Sequence, residues 1–178
     1  MERNNITMAI PFPVLNTERL FLRKINQLDV DRIYYFRSDK EINKYIKREP
    51  QTREMAVAHI ELLNDNLKTD KAISWGILMR DSEVLIGSIC LWNFSEDKKT
   101  AEVGYDLDPE FQGIGIMSEA LKAVLNFGFS QKGFETIEAY TDFRNIPSKK
   151  LLKQHGFIPS PNKQDTDNQN NEVYYLNH

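Results

Sequence analysis

The 178-residue chain contains one cysteine, Cys90, and only three histidines. A single thiol closes no internal disulfide, which suits a reducing compartment, and the scattered histidines offer no metal-ligand spacing. Basic residues are not in excess: 23 Lys and Arg face 26 Asp and Glu, for a formal net charge of -3. That balance argues against a general binder of nucleic acid or anionic membrane. No apolar run is long enough to span a bilayer. The opening MERNNITMAIPFPVLNTERL lacks the apolar core and cleavage site of a secretory signal. There is no internal repeat and no Gly- or Pro-rich linker. Hydrophobic residues make up 40% of the chain, enough for an ordinary folded core. These absences predict a single mixed α/β domain over residues 1–178, located in the cytoplasm.

Hydrophobic periodicity outlines the elements. TERLFLRKI (17–25) alternates and reads as a strand with Leu20 and Leu22 on one face. DVDRIYYFR follows with helical character, Asp29 standing as its N-cap. Thr52 is placed to cap a longer helix running to about Thr69, with Ala56, Ile60, Leu63 and Leu67 as its apolar stripe. AISWGILMR and VLIGSICLW form a hairpin around Asp81-Ser82-Glu83. A strand is expected from about Thr100 to Leu107, and a helix from about Gly115 to Gln131. Met117, Leu121, Val124 and Gly128 share the inner face of that helix. TIEAYTD reads as a strand, NIPSKKLLKQHGF as a short helix closed by glycine. PSPNKQDTDNQNNE reads as a mobile polar turn, and VYYL as the last strand.

Two local patterns bear on chemistry. In LDPEFQGIGIMSEAL, Gly113 and Gly115 sit where a strand turns into a helix. Amides at a helix start attract phosphate, and glycine lets an anion approach the backbone. A plain strand-to-helix turn explains the same glycines, and the loop alone does not decide. A dinucleotide fingerprint would need a third glycine where Ser118 stands, and a Walker A loop would need Gly-Lys-Ser/Thr. In NIPSKKLLKQHGF, Asn145 is a good N-cap, Pro147 fits the first turn, and Ser148 lies within the cap's reach.

Taken in order, these motifs resemble the GNAT superfamily of acetyl-CoA-dependent N-acetyltransferases, and within it the RimJ/RimL-like branch of ribosomal-protein N-acetyltransferases. AEVGYDLDPEFQGIGIMSEAL resembles the family's fourth strand, its Gln/Arg-x-x-Gly-x-Gly/Ala loop and its third helix. EAYTDFRNIPSKKLLKQHGF resembles its fifth strand and Asn-x-x-Ser helix. The resemblance implies the acyl-CoA N-acyltransferase fold: a mixed, mostly antiparallel sheet, splayed between strands 4 and 5 and flanked by helices. It also implies acetyl-CoA as cosubstrate, without a metal. By the same resemblance, the amides of Gln112, Gly113, Ile114, Gly115, Ile116 and Met117 hold the pyrophosphate. The strand end at Leu107 pairs with the pantetheine arm, and a backbone N–H there polarises the thioester carbonyl. Asn145 contacts the pantetheine, and Ser148 protonates the leaving thiolate. Glu102 matches the family's fourth-strand glutamate and stands as the base, although the alternation Glu102, Gly104, Asp106, Asp108 also fits a plain polar strand face.

The chain departs from the pattern at Met117, where Gly or Ala is commonest, and at Ile114, where a basic residue is common. The implied acceptor is a primary amine, either a protein N-terminus such as that of a ribosomal protein, or a small amine or polyamine. The acidic pair Asp106 and Asp108 leans toward a cationic one. Homodimerisation stays open. Two rivals are a non-catalytic acetyl-CoA sensor, which would need neither Ser148 nor Glu102, and a phosphate-binding nucleotide protein. Cys90 reads as a core residue, Trp75 and Trp92 as core or as the lining of an acceptor groove with core favoured, His59 and His155 as structural or solvated, and Tyr105 as facing either core or cofactor.

Overall fold

Alternation in the first apolar segment produces a strand whose inward residues, Leu20 and Leu22, are fully buried. The computed structural model describes residues 11–178, so the signal-sequence reading of the first ten lies outside it. In chain order the strands are β1 (Leu15–Asn16), β2 (Leu20–Lys24), β3 (Ile73–Met79), β4 (Leu85–Trp92), β5 (Thr100–Leu107), β6 (Thr136–Asp142), β7 (Ile158–Pro159) and β8 (Asn171–Asn177). The helices are α1 (Val30–Ser38), α2 (Arg53–Lys68), α3 (Ile116–Ser130) and α4 (Ile146–Gln154). The short β1 takes the first number, so the family's strands four and five are β5 and β6 here.

The strands form one mixed sheet in the order β1-β2-β3-β4-β5-β6-β8-β7. Every neighbouring pair is antiparallel except β5 and β6, which run parallel. That parallel ladder is short, covering only Thr100↔Thr136, Ala101↔Ile137 and Glu102↔Glu138. Beyond Glu102 the two strands part, while each keeps its antiparallel partner on the other side. The sheet is therefore splayed where the family resemblance places the gap.

Each face of the sheet carries its own core. One contains Trp75, Ile89, Leu91, Ala101 and Val103 together with Leu121, Val124 and Phe127 of α3 and Leu152 of α4. Leu121 and Val124 have no exposed surface, and burying such a side chain stabilises the fold by about 1.5–3 kcal/mol. Gly128 permits the close approach of α3, since an added Cβ would meet Ile137 Cδ1 at 2.9 Å. The other core joins Ile33 and Phe36 of α1 with Ala56 and Ile60 of α2, over Leu78 and Leu85.

Caps explain most boundaries. Thr52 accepts from Met55 N and starts α2 as expected. Asp29 precedes α1 but makes no side-chain cap to it. Its buried carboxylate instead accepts from Asn26 N at 2.9 Å and pairs with Arg23 at 2.8 Å. Two paired donors outcompete a weaker local cap. The polar segment after α4 contains the extra strand β7, and Asp165 braces its turn by accepting from Asp167 N, Asn168 N and Asn171 Nδ2.

Candidate functional site

The parting of β5 and β6 opens a cleft of about 1370 Å³. Small-molecule pockets usually hold about 300–1,000 Å³, so this one has room for a long cosubstrate and an acceptor together. Leu107, Gln112, Gly113, Gly115, Ile116, Met117, Asn145 and Ser148 all line it. Ile114 and Glu102 do not.

The glycine loop is shaped by backbone need. Gly113 has φ +77° and Gly115 φ +81°, left-handed values that a side chain resists. A Cβ built on Gly113 would meet nothing within 4 Å, so that side of the loop is open. Gly115 serves as N-cap of α3 without a side-chain cap, so the first amides of the helix keep no side-chain acceptor from that residue. Met117 is buried in the core, and its bulk stays out of the loop. Ile114 is an exposed side chain. Left-handed glycines at an open helix start serve a plain turn and an anion site alike.

Arg19 was missed by the sequence reading. Its Nη1 donates to Ile114 O at 2.9 Å, and its Nε donates to Glu119 at 2.7 Å in the first turn of α3. Glu119 also accepts from Arg19 N and from Thr17 Oγ1. Burial works to raise the Glu119 pKa, but these donors outweigh it and hold the carboxylate low. The loop is thus tied to the segment entering β2, 95 positions earlier in the chain.

At the end of β5, Asp108 N donates to Ile86 O on β4. Strand alternation turns the N–H and C=O of Leu107 the other way, toward the gap. Gln112 Nε2 takes the Leu107 carbonyl at 3.0 Å, which leaves the N–H as the strand's donor there.

Across the gap, Asn145 Oδ1 accepts from Ser148 N at 3.2 Å and caps α4. Ser148 Oγ lies 2.8 Å from the Tyr105 hydroxyl. Tyr105, left open between core and cofactor, therefore borders the cleft. Burial pushes its phenol up to about 12 against the opposing effect of that hydrogen bond, so it stays protonated.

The carboxylates divide. Glu102 accepts from Asn93 Nδ2, and burial raises its pKa against that bond. Two positions along the same strand face, Asp106 lines the cleft and accepts from Ser88 N and Oγ at 3.1 and 2.9 Å. Burial raises its pKa as well, outweighing Ser88, Arg48 and Arg37. Asp108 faces no acceptor: it is buried and ion-paired with Arg32 at 2.5 Å. The expected cationic preference from an acidic pair thus loses one member to an internal arginine.

Arg37, Arg48, His59, Cys90 and Trp92 line the same cleft as Asp106, whose charge acts on Arg37, Arg48 and Cys90. Trp75 is core as expected, but Trp92 is 48% exposed because its β4 position lies on the cleft side of the sheet. Cys90, expected in the core, is half-buried on the cleft wall, and burial pushes its thiol up to about 12. His59 is half-buried against Arg37, with Nε2 at 3.2 Å from Nη1. Burial, then the two guanidiniums, bring its pKa down to about 4, so it is neutral at physiological pH. His155 contacts Ser118 Oγ at 2.8 Å and burial lowers its pKa.

Residues 19–158 match the model of the acetyltransferase (GNAT) domain family. The uncharacterized N-acetyltransferase YoaA of Bacillus subtilis (strain 168) is 34% identical over 147 residues, 82% of this chain and 83% of its own length. Among solved structures, an acetyltransferase from Agrobacterium tumefaciens str. C58 is similar with a TM-score of 0.81 at 21% identity, covering 99% of this chain and 100% of that one. RimL, a ribosomal L7/L12 alpha-N-protein acetyltransferase solved in complex with coenzyme A, is similar with a TM-score of 0.77 at 17% identity, over 93% and 98% of the two chains. At such identities the likeness is one of fold.

Proposed function

The chain belongs to the GNAT acetyltransferase family, and on that premise we propose that it moves the acetyl group of acetyl-CoA to a primary amine in the cleft between β5 and β6. The observation that carries this reading is the convergence on one cleft of an anion-ready helix start, a free strand N–H and a hydroxyl. Bound acetyl-CoA supplies an activated thioester, and the chain positions it. Amides of Gly113, Gly115, Ile116 and Met117 hold the pyrophosphate with the helix dipole behind them, while the Gln112 amide is spent on Pro109 O and Ile114 lies off the cleft. The Leu107 N–H polarises the thioester carbonyl as charge develops on its oxygen. Asn145 orients the pantetheine from the cap of α4.

In the reaction the amine nitrogen bonds to the acetyl carbon and the carbon–sulfur bond breaks. Ser148 gives a proton to the departing thiolate and regains one from the attacking nitrogen, which sheds its second proton as the amide forms, and Tyr105 fixes the direction of that hydroxyl. A carboxylate takes the proton that the acceptor ammonium must lose. We assign that step to Asp106 rather than to Glu102, because Asp106 lines the cleft and Glu102 does not. Glu102 then acts through water or only as a strand residue.

An enzyme fits better than a sensor, because a module that only binds acetyl-CoA has no use for the Tyr105–Ser148 pair. The test is to titrate acetyl-CoA while following the melting temperature, then to measure thiol release over varied peptide N-termini, polyamines and small amines. Stabilisation by a native-state ligand, with release dependent on one amine class, is expected. Stabilisation with no release for any amine would favour the sensor.

A further inference from the structure

The part of the cleft lined by α1 and the segment before α2 holds two guanidiniums that no ion pair neutralises. Arg37 lies in the last turn of α1 and Arg48 in the segment before α2, and both are half-buried cleft-lining residues. Among the described residues neither has a carboxylate within 4.0 Å, whereas twelve other cationic–anionic pairs do. Their hydrogen bonds go to neutral groups. Arg37 Nε donates to Gln51 Oε1 at 3.3 Å and Nη1 faces His59, while Arg48 Nη1 donates to Asn43 Oδ1 at 2.8 Å. Glu41, on the same rim, is exposed and occupied by Lys44. Of the other carboxylates on the cleft wall, Asp142 is paired with Arg144 and Asp167 lies in the turn before β8, so Asp106 is the carboxylate whose charge acts on both guanidiniums.

Withdrawing two guanidiniums from water without a counterion is costly, and a fold tolerates it where a ligand supplies the missing anion. Guanidinium is the group best shaped to take carboxylate or phosphate bidentately. Because Asp106 lines the same cleft, an acceptor would meet one carboxylate and two cations there. We propose that Arg37 and Arg48 bind an anionic group of the acceptor, a carboxylate or phosphate, while its ammonium lies toward Asp106. The substrate class is then a small zwitterionic amine. This deepens the acetyl-transfer reading and rests on it.

The pair does not belong to the cosubstrate's pyrophosphate on this account, and the experiment checks that directly. Thiol release from acetyl-CoA is measured with four acceptors: ethanolamine, O-phosphoethanolamine, β-alanine and β-alanine amide. The same series is run on Arg37→Gln, Arg48→Gln and Arg37→Lys, with the acetyl-CoA Kd and the melting temperature of each variant. Wild type should favour an anionic member over its neutral partner in kcat/KM by about tenfold or more, as charge-assisted bonds typically allow. Whichever of phosphate or carboxylate leads identifies the source of the anion. Each Gln variant should erase that preference through KM and leave the acetyl-CoA Kd unchanged, while Arg37→Lys should recover part of it.

Equal kcat/KM for charged and neutral partners would overturn the inference and leave acetyl transfer standing. A loss of acetyl-CoA affinity in both Gln variants would also overturn it, by assigning the guanidiniums to the cosubstrate. Release with polyamines but with none of these four would do the same. No release with any amine would overturn the transferase reading and the inference with it.

Discussion

The hydroxyls of Tyr105 and Ser148 lie 2.8 Å apart, joining the end region of β5 to the first turn of α4 across the gap in the sheet. The protonated phenol can donate to Ser148 Oγ and leave the serine's own proton free to point elsewhere in the cleft. Ser148→Ala should therefore lower kcat by about 10²–10⁴-fold, the usual loss for a general acid, while acetyl-CoA binding stays within about threefold. Tyr105→Phe should cost less, about tenfold in kcat, because the acid remains but is less well aimed. Steady-state kinetics with direct binding separates the two effects. Full turnover in Ser148→Ala would reduce Ser148 to part of a helix cap.

The loop makes a sharper demand on Gly115 than on any neighbour. Gly115→Glu places bulk and negative charge beside the anion site and should abolish the rise in melting temperature on adding acetyl-CoA. A side chain at φ +81° is itself strained, so Gly115→Asn is the control. Asn tolerates that backbone and keeps the amides, and its acetyl-CoA shift should survive in reduced form. Equal shifts in both variants would move the site away from this loop.

Arg19 should matter to cosubstrate binding without touching it. Arg19→Ala frees the Ile114 carbonyl and removes one partner of Glu119, so acetyl-CoA affinity should fall about tenfold with kcat at saturation nearly unchanged. Titration calorimetry of wild type and variant measures this.

Asp106 and Glu102 can be told apart by pH. Asp106→Asn should lower kcat/KM with the acetyl-CoA Kd preserved, and higher pH should recover part of the loss by supplying free amine. Wild-type kcat/KM should climb with pH through a carboxylate pKa above the ordinary range, since burial raises Asp106. Glu102→Gln should leave the shape of that profile intact. The reverse pattern would return the base to Glu102.

His59 gives the fold a dependence on acid. Its folded pKa of about 4 lies below the unfolded value of 6.5, so between those values the unfolded chain binds more protons. The stability His59 contributes is full above about 6.5 and is lost as the pH falls toward 4. His59→Gln should show a shallower drop in melting temperature over that window. A slope as steep as that of wild type would mean that His59 titrates normally.

Local spacing made the turns and caps readable, and the cosubstrate roles assigned to them came from the family resemblance. Gly113, Gly115, Asn145 and Ser148 sit in short windows where turn and cap chemistry is local, and the strand Thr100–Leu107 carried its pattern in alternating residues. The acceptor side was not readable in that way. Arg37 and Arg48 lie on separate elements and line one cleft with Asp106 only because α1 and the segment before α2 fold over one face of the sheet. Arg19 reaches Ile114 from 95 positions away. Trp92 looked like core because the β4 pattern does not say which side is covered by helix and which by cleft. Asp29 looked like a cap because its partner Arg23 lies outside the helix it precedes.

The central claim is transfer of acetyl to an amine nitrogen from a thioester held at the α3 loop. Acetyl-CoA labelled in its acetyl group, incubated with the protein and the acceptor set, answers it when the products are read by mass spectrometry. The account predicts labelled amide on the acceptor in step with released thiol for wild type, and neither for Gly115→Glu. Bound acetyl-CoA that yields no labelled amide with any amine, or equal labelling by Gly115→Glu, would contradict it.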